Sequence, residues 1–385
     1  MMLINDDGSS NNKGYHRLVS VSVFLFLLPS SVVSFFGPFA SDNNALDKGF
    51  NLLETASKVV PQGRIVQTAK GGLNLVWNRM MAELAPQDKS GAYQRPSYTT
   101  STAVSSLSNE RGRYHVYVGN PCPWCHRVRL VLALRSITSD IGMTMLEDNP
   151  MKASRGGWVF DDTTPNKRDP LGCNDLRELY DKLSPGYKGR CTAPLLIDLK
   201  NQKMVSNESS DIIRMLNSFA SSSSSSDNLD LYPSELKDTI DETNEWVYTL
   251  LNNGCYRCGF ATKQGAYDEA SQDVRSGLEK CESILSHQKY ITGTVFTESD
   301  VFLLPTLLRY DGAYAPLFRA GGVHKRIQAD YPNVHEYMKR CWNEFDLQTT
   351  IDIQDATSSY YKQLFPLNPG GLLPTPITPN DIGLE

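Results

Sequence analysis

Apolar and polar positions divide this chain into a mixed α/β region and a later helical region. A β-branched and aromatic run at residues 114–118 predicts a strand, and residues 194–198 and 203–205 predict two more. An apolar-periodic segment after Cys122 predicts a helix. A second helix is predicted over residues 207–219, because that segment begins with capping residues.

The pattern beyond residue 232 is helical as far as about residue 345. The clearest segments are residues 236–251, 265–285 and 297–308. The last of them opens with a Thr-x-x-Asp capping box, formed by Thr297 and Asp300. This order of elements predicts a small α/β domain followed by an all-helical domain.

The composition supports a sizeable buried core. The chain has 385 residues, of which 40% are hydrophobic and 21% are charged. A net charge of −5 gives no support for nucleic-acid or anionic-membrane binding as the main role. The eight cysteines are widely spaced, which favours reduced thiols over a disulfide scaffold.

The two ends of the chain carry separate predictions. Residues 1–34 predict a signal peptide, because a basic segment precedes a short apolar run and small residues. Residues 35–110 predict a transit sequence and a loosely structured N-terminal extension, with one helix around residues 73–84. A serine-rich linker is expected at residues 221–230, and a Pro- and Gly-rich tail at residues 366–385 is expected to run over the surface.

Phe35 directly follows the predicted signal cleavage point. This arrangement is similar to the bipartite presequences of plastid proteins in algae with complex plastids. Plastid import is therefore one hypothesis, and plain entry into the secretory pathway is the alternative.

The candidate chemistry centres on Cys122, in the sequence Cys-Pro-Trp-Cys between the first predicted strand and helix. A cysteine at a helix start meets unpaired N–H groups and the positive end of the helix dipole, which stabilise its thiolate. Pro123 suits the first helical turn, and Arg127 and Arg129 add positive charge. This position argues against a purely structural buried cysteine.

Several segments in both predicted domains resemble the glutathionyl-hydroquinone reductases, the Xi class of the glutathione transferases. They are residues 112–118, 122–124, 156–160, 207–216, 252–261, 297–300, 307–311 and 331–333. The resemblance covers about residues 111–368. It implies a thioredoxin-like domain at residues 111–220 and a helical glutathione-transferase domain at residues 231–365, with Pro194 as the cis-proline facing Cys122.

The resemblance also implies an activity. Cys122 would attack the sulfur of a glutathionyl-hydroquinone, and a second glutathione would resolve the resulting mixed disulfide. Glutathione would be the co-substrate, no metal would be needed, and glutathionylated quinone adducts would be the other partners. A homodimer is implied, with no membrane association of the mature form.

Individual site residues follow from the same resemblance. Glu208 and Ser209 would hold the γ-glutamyl end, the Ala193 backbone would pair with the cysteinyl part, and Trp158 would pack on glutathione. Arg190 would contact a carboxylate of glutathione, and the neighbouring Cys191 and Thr192 would belong to the same binding segment. Tyr256 would donate a proton to the departing aromatic carbon. Tyr314 and Tyr360 would hydrogen-bond near the thiolate, with Tyr361 as the alternative to Tyr360.

The roles of several cysteines and of one histidine have more than one interpretation. Cys125 replaces a small residue usual in the family and could be a resolving thiol or a small buried residue. A resolving thiol would favour a glutaredoxin-like disulfide oxidoreductase, while conventional glutathione conjugation and non-catalytic glutathione binding are further alternatives. Cys255 and Cys258 could join the first pair in a zinc site, although packing is favoured for them and for Cys173, Cys191, Cys281 and Cys341. His126 is expected on the helix surface rather than as a catalytic base.

Overall fold

The computed structural model describes residues 58–97, 106–149, 151–152, 157–161, 163–220, 229–322, 325–375 and 377–385. The chain divides into two compact units, Met1–Met80 and Met81–Glu385. The predicted signal peptide, residues 35–57 of the predicted transit sequence and residues 221–228 of the predicted serine-rich linker lie outside the described residues. In the first unit the described structure is mainly α1 (Gln62–Leu84), a helix longer than predicted, whose last residues belong to the second unit.

A five-stranded sheet organises the first part of the second unit. Its strands are β1 (Tyr114–Gly119), β2 (Gly142–Asp148), β3 (Trp158–Val159), β4 (Leu195–Asp198) and β5 (Lys203–Ser206). The strand order is β3-β2-β1-β4-β5, and β1 pairs parallel with β2 while the other pairs are antiparallel. Three helices accompany the sheet: α2 (Pro123–Leu134), α3 (Leu176–Leu183) and α4 (Ser209–Asn217).

Strand β1 is central and entirely buried, which explains its uninterrupted β-branched and aromatic sequence. Val116 pairs with Met143 on one side and Leu196 on the other. The predictions of β1, β4 and β5 and of helices α2 and α4 are confirmed. Strands β2 and β3 and helix α3 were not predicted, because they are short or carry mixed apolar and charged residues.

The region of residues 231–365 is mainly helical, as predicted. Its helices are α5 (Lys237–Trp246), α6 (Asn253–Phe260), α7 (Gln264–Leu285), α8 (Glu298–Arg309), α9 (Ile327–Asp330), α10 (Pro332–Glu344) and α11 (Ile353–Gln363). Two π-helical segments, Val247–Asn252 and Tyr310–Tyr314, interrupt this series. No helix within the described ranges is long and apolar enough to cross a membrane.

Helix α8 forms the centre of this helical region, because all of its residues are buried. The predicted capping box starts it: the Asp300 carboxylate accepts from the Thr297 N–H at 2.8 Å and from the Tyr337 hydroxyl at 2.8 Å. The predicted fold class, a thioredoxin-like α/β part followed by a helical part, is confirmed.

The extension and the tail both differ from expectation. The segment after α1 is ordered: the Thr262 N–H donates to the Gly91 carbonyl at 3.0 Å, and the Tyr93 and Phe260 rings lie 5.3 Å apart. Gly91 has φ +83°, and a Cβ there would lie 2.7 Å from the Lys263 side chain, so the turn requires glycine. In the tail, Ile382 and Leu384 are buried, so the chain end packs on the protein rather than only crossing its surface.

Candidate active site

Cys122 caps the N-terminus of α2, directly after the turn that leaves β1. Its half-buried sulfur accepts a hydrogen bond from the Cys125 N–H at 3.3 Å. Burial alone would raise the pKa of Cys122. The hydrogen bonds from the Cys125 thiol and N–H and the nearby charge of Arg309 outweigh it, and they hold this pKa below its ordinary value. The predicted nucleophile is therefore in an environment that favours the thiolate.

The segment before β4 faces this sulfur. The Ala193–Pro194 peptide bond is cis, as expected for Pro194. In its thiol form Cys122 donates to the Ala193 carbonyl oxygen, with 3.5 Å between sulfur and oxygen. The Ala193 backbone and the candidate nucleophile are thus in direct contact.

A pocket of about 180 Å³ opens beside this contact. Its lining residues are Arg95, Pro96, Ser97, Trp124, Thr192, Pro194, Asn207, Glu208, Ser209 and Tyr248. Three of the predicted binding residues, Thr192, Glu208 and Ser209, belong to this lining. Glu208 and Ser209 stand at the start of α4, where free backbone N–H groups favour an anion.

Two arginines flank the Trp124 ring of the pocket. The Arg95 guanidinium lies 3.8 Å from the ring centroid and the Arg127 guanidinium lies 4.5 Å from it. Arg127 is buried, which lowers its pKa to about 9, and it donates to the Ser209 hydroxyl at 3.4 Å. Arg95 could not be singled out from the sequence, because it lies in the extension that was expected to be loosely structured.

The other four predicted binding residues, Ala193 and the three described next, are outside the lining of this pocket. Trp158 packs against Gly119, where an added Cβ would lie 2.2 Å from its ring. Arg190 donates to the Leu84 carbonyl at 2.8 Å. Cys191 accepts from Arg177 at 3.6 Å. Their predicted roles in glutathione binding stay predictions.

The three predicted tyrosines form one cluster. The Tyr360 hydroxyl lies 2.8 Å from the Tyr256 hydroxyl and 2.8 Å from the Tyr314 hydroxyl. Burial raises the pKa of Tyr360 to about 12 and the pKa values of Tyr256 and Tyr314 well above the ordinary value, so all three phenols stay protonated near neutral pH. Tyr361 is outside the cluster, because its hydroxyl donates to the Gly312 carbonyl at 3.3 Å.

The cluster lies next to the pocket and the cysteine. The Trp124 and Tyr256 rings are stacked, with 6.4 Å between their centroids. Burial is the main cause of the raised pKa values of Tyr256 and Tyr360, and the charge of a Cys122 thiolate raises both further. Tyr314 ends the π-helical segment Tyr310–Tyr314, and such segments are frequent at functional sites.

Arg309, at the end of α8, fixes the turn that carries Cys122. Its buried guanidinium donates to the Asn120 carbonyl at 2.9 Å and to the Pro121 carbonyl at 3.0 Å. It also lies 3.1 Å from Nδ1 of His126. Because arginine can only donate, His126 accepts there and donates from Nε2 to the Thr350 hydroxyl at 3.0 Å.

The expected surface position of His126 is wrong. The side chain is 1% exposed, because the Arg309 guanidinium and the Thr350 hydroxyl contact its two ring nitrogens. Burial and the charges of Arg309 and Arg129 lower its pKa well below the ordinary value, so it stays neutral. His126 therefore orients Arg309 and carries no charge of its own.

All eight cysteines are free thiols. Cys255 and Cys258 are buried in the helical core, and burial raises their pKa values above the ordinary range for a thiol. Among the residues that the structure describes, no group of three or more His, Cys, Asp or Glu side chains is arranged to hold a metal ion.

Known proteins share this fold and part of this sequence. Family models for the glutathione S-transferase N-terminal and C-terminal domains match residues 121–218 and 264–340. Glutathionyl-hydroquinone reductase PcpF of Sphingobium chlorophenolicum is 37% identical over 273 residues, which cover 70% of this chain and 84% of that protein. Glutathionyl-hydroquinone reductase YqjG of Escherichia coli (strain K12) is 36% identical over 274 residues, which cover 71% of this chain and 81% of that protein.

Solved structures that resemble this chain come from the same class of proteins. The glutathione-S-transferase Xi from Phanerochaete chrysosporium has a TM-score of 0.68 and 32% sequence identity, covering 76% of this chain and 95% of that chain. The glutathione-bound structure of YqjG has a TM-score of 0.62 and 35% identity, covering 70% of this chain and 86% of that chain. The resemblance found in the sequence is thereby confirmed, and the chain belongs to the glutathionyl-hydroquinone reductases, the Xi class of the glutathione transferase family.

Proposed function

We propose that this protein uses glutathione to reduce glutathionyl-hydroquinones to hydroquinones through Cys122. The observation that carries the proposal is the position of this thiol. It lies at a helix N-cap, between a pocket suited to glutathione and a cluster of protonated tyrosines. Both relatives named above are called glutathionyl-hydroquinone reductases.

The pocket offers complementary groups to the γ-glutamyl end of glutathione. Its carboxylate would meet the N–H groups at the start of α4 and the Ser209 hydroxyl, and its ammonium group would meet the Glu208 carboxylate. Arg95 adds positive charge at the same pocket. The Ala193 backbone, in contact with Cys122, would pair with the cysteinyl part.

In the first step, the Cys122 thiolate attacks the sulfur of the glutathionyl group, and the carbon–sulfur bond to the aromatic ring breaks. The ring carbon takes a proton from Tyr256, which leaves free hydroquinone and a Cys122–glutathione disulfide. Tyr360 bridges Tyr256 and Tyr314, so its hydroxyl can share the charge that develops on the Tyr256 oxygen. A second glutathione then attacks the mixed disulfide, forming oxidised glutathione and restoring the Cys122 thiolate, and the thiol proton of this glutathione returns to Tyr256.

A steady-state assay with glutathionyl-p-hydroquinone and glutathione tests this function. Hydroquinone and oxidised glutathione should appear in equal amounts, and Cys122→Ala should abolish both. Cys173→Ala, which removes a buried thiol outside the site, is the matched control. Wild-type protein that instead joins glutathione to chlorodinitrobenzene, with no hydroquinone release, would favour conventional conjugation.

Localisation and assembly are separate proposals. We propose delivery to a plastid through a targeting segment within residues 1–60, and a homodimer in solution. A fluorescent protein fused behind residues 1–60 should reach the plastid, and fluorescence confined to the cytosol would refute the first proposal. Light scattering on the purified protein should give twice the chain mass, and a monomer would refute the second.

A further inference from the structure

A second thiol, that of Cys125, lies one helical turn after Cys122. The Cys125 N–H donates to the Cys122 sulfur, with 3.3 Å between nitrogen and sulfur. The Cys125 side chain is 0% exposed. The proposed reductase cycle gives this thiol no chemical role.

We infer that Cys125 is a resolving thiol, which attacks glutathionylated Cys122, expels glutathione and leaves an intramolecular disulfide. This inference shares with the proposed function only the Cys122–glutathione disulfide. Oxidised glutathione can form the same disulfide without any quinone substrate. The further activity is therefore the reduction of glutathione mixed disulfides by a pair of thiols.

The exchange is balanced in atoms and electrons. The Cys125 sulfur forms a bond to the Cys122 sulfur as the bond from Cys122 to glutathione breaks, and the Cys125 proton passes to the departing glutathione. Two further glutathione molecules then reduce the Cys122–Cys125 disulfide to two thiols and form oxidised glutathione. Glutathione, the reductant of the proposed cycle, is the only co-reactant.

Local geometry permits the bond. The radius and rise of an α-helix place Cα atoms three residues apart at about 5 Å, and disulfides join Cα atoms about 4.4–6.8 Å apart. Cys122 is the N-cap, so its non-helical backbone leaves its side chain free to turn toward Cys125. The Cys122 sulfur already lies 3.3 Å from the backbone nitrogen of Cys125.

The two environments suit different roles. Cys122 is half-buried and can meet an external sulfur, whereas buried Cys125 can meet only Cys122. Burial also raises the pKa of Cys125 well above the ordinary value, so it stays a thiol until a partner disulfide forms beside it. Buried Cys281 and Cys341 have no comparable contact with a reactive thiol.

The test uses oxidised glutathione as the only added thiol reagent, with acid quenching and intact-mass measurement. Wild-type protein should release two glutathione molecules per chain and lose the mass of two hydrogen atoms. Cys125→Ala should release one and gain one glutathionyl group, mapped to Cys122 by peptide analysis. Cys125→Ser, which is closer in size to cysteine, should match Cys125→Ala, and Cys122→Ala should show neither product.

Wild-type protein that stops at glutathionylated Cys122, like Cys125→Ala, would overturn the resolving role. Failure of oxidised glutathione to react with Cys122 in any of these proteins would also overturn it. Release of two glutathione molecules by a protein that releases no hydroquinone would instead overturn the proposed function alone.

Discussion

Replacing Arg309 with methionine would remove the group that holds the Cys122 turn in place. The Arg309 side chain is 1% exposed, and its guanidinium donates to the carbonyls of Asn120, Pro121 and Pro305 at 2.9 to 3.0 Å. Methionine fills similar space but donates no hydrogen bond. The two carbonyls that directly precede Cys122 would both lose a charged donor.

The magnitude follows from those contacts. A hydrogen bond to a charged group contributes about 1.5–3 kcal/mol, and an orphaned buried acceptor costs about 1–3 kcal/mol. For two orphaned carbonyls, we expect Arg309→Met to lower the free energy of unfolding by about 3 to 5 kcal/mol. The change is measured by urea denaturation.

A second readout tests the link to the nucleophile. The charge of Arg309 is one of the causes that lower the pKa of Cys122, so alkylation of this thiol should require higher pH in Arg309→Met. Arg309→Lys retains the charge but not the planar fork, so it should lose stability with a smaller effect on alkylation. Wild-type stability together with an unchanged alkylation profile in Arg309→Met would refute this reasoning.

Three other predictions follow from the site and the core. Tyr256→Phe should slow hydroquinone release by about 10²–10⁴-fold because the proton donor is lost, while Tyr361→Phe should not; equal rates for both would contradict the role of Tyr256. Arg95→Ala should raise the KM for glutathione roughly tenfold, the equivalent of about 1.4 kcal/mol, with Gln94→Ala as the control, and an unchanged KM would remove Arg95 from the binding site. Burial raises the pKa of Asp300 from 3.8 to about 6, so in this range the folded state binds more protons than the unfolded chain, and stability from this group falls as the pH rises through about 6. Asp300→Asn removes that titration, so the difference in unfolding free energy between variant and wild type should depend on pH. Measured by urea denaturation, this difference should shift by about 2 kcal/mol in favour of the variant between about pH 4 and about pH 7. Parallel pH profiles of the two proteins would contradict the prediction.

The elements around Cys122 could be predicted because their signals are local. An uninterrupted apolar run marks β1, and proline with an apolar period marks α2. Strand β2 could not be predicted so readily, because only two of its seven residues, Thr144 and Leu146, are buried and its end is acidic. Pairing with β1 decides its structure, and that contact is not visible in the local pattern.

Only part of the candidate site could be predicted, because some of its residues depend on contacts between distant parts of the chain. The family resemblance identified the three tyrosines, which the structure brings together. Arg309 could not be found, because its contact with Pro121 spans 188 residues of sequence. His126 was misplaced because its exposure depends on α8, which the local pattern of α2 does not reveal.

A single-turnover experiment on the Cys122 mixed disulfide tests the proposed mechanism most directly. The Cys125→Ala protein is mixed with one equivalent of glutathionyl-p-hydroquinone and no free glutathione, and the double variant Cys122→Ala/Cys125→Ala serves as the control. We predict one hydroquinone released per chain and one glutathionyl group on Cys122, with neither in the control. Hydroquinone release without an adduct on Cys122, or equal release by the control, would contradict the mechanism.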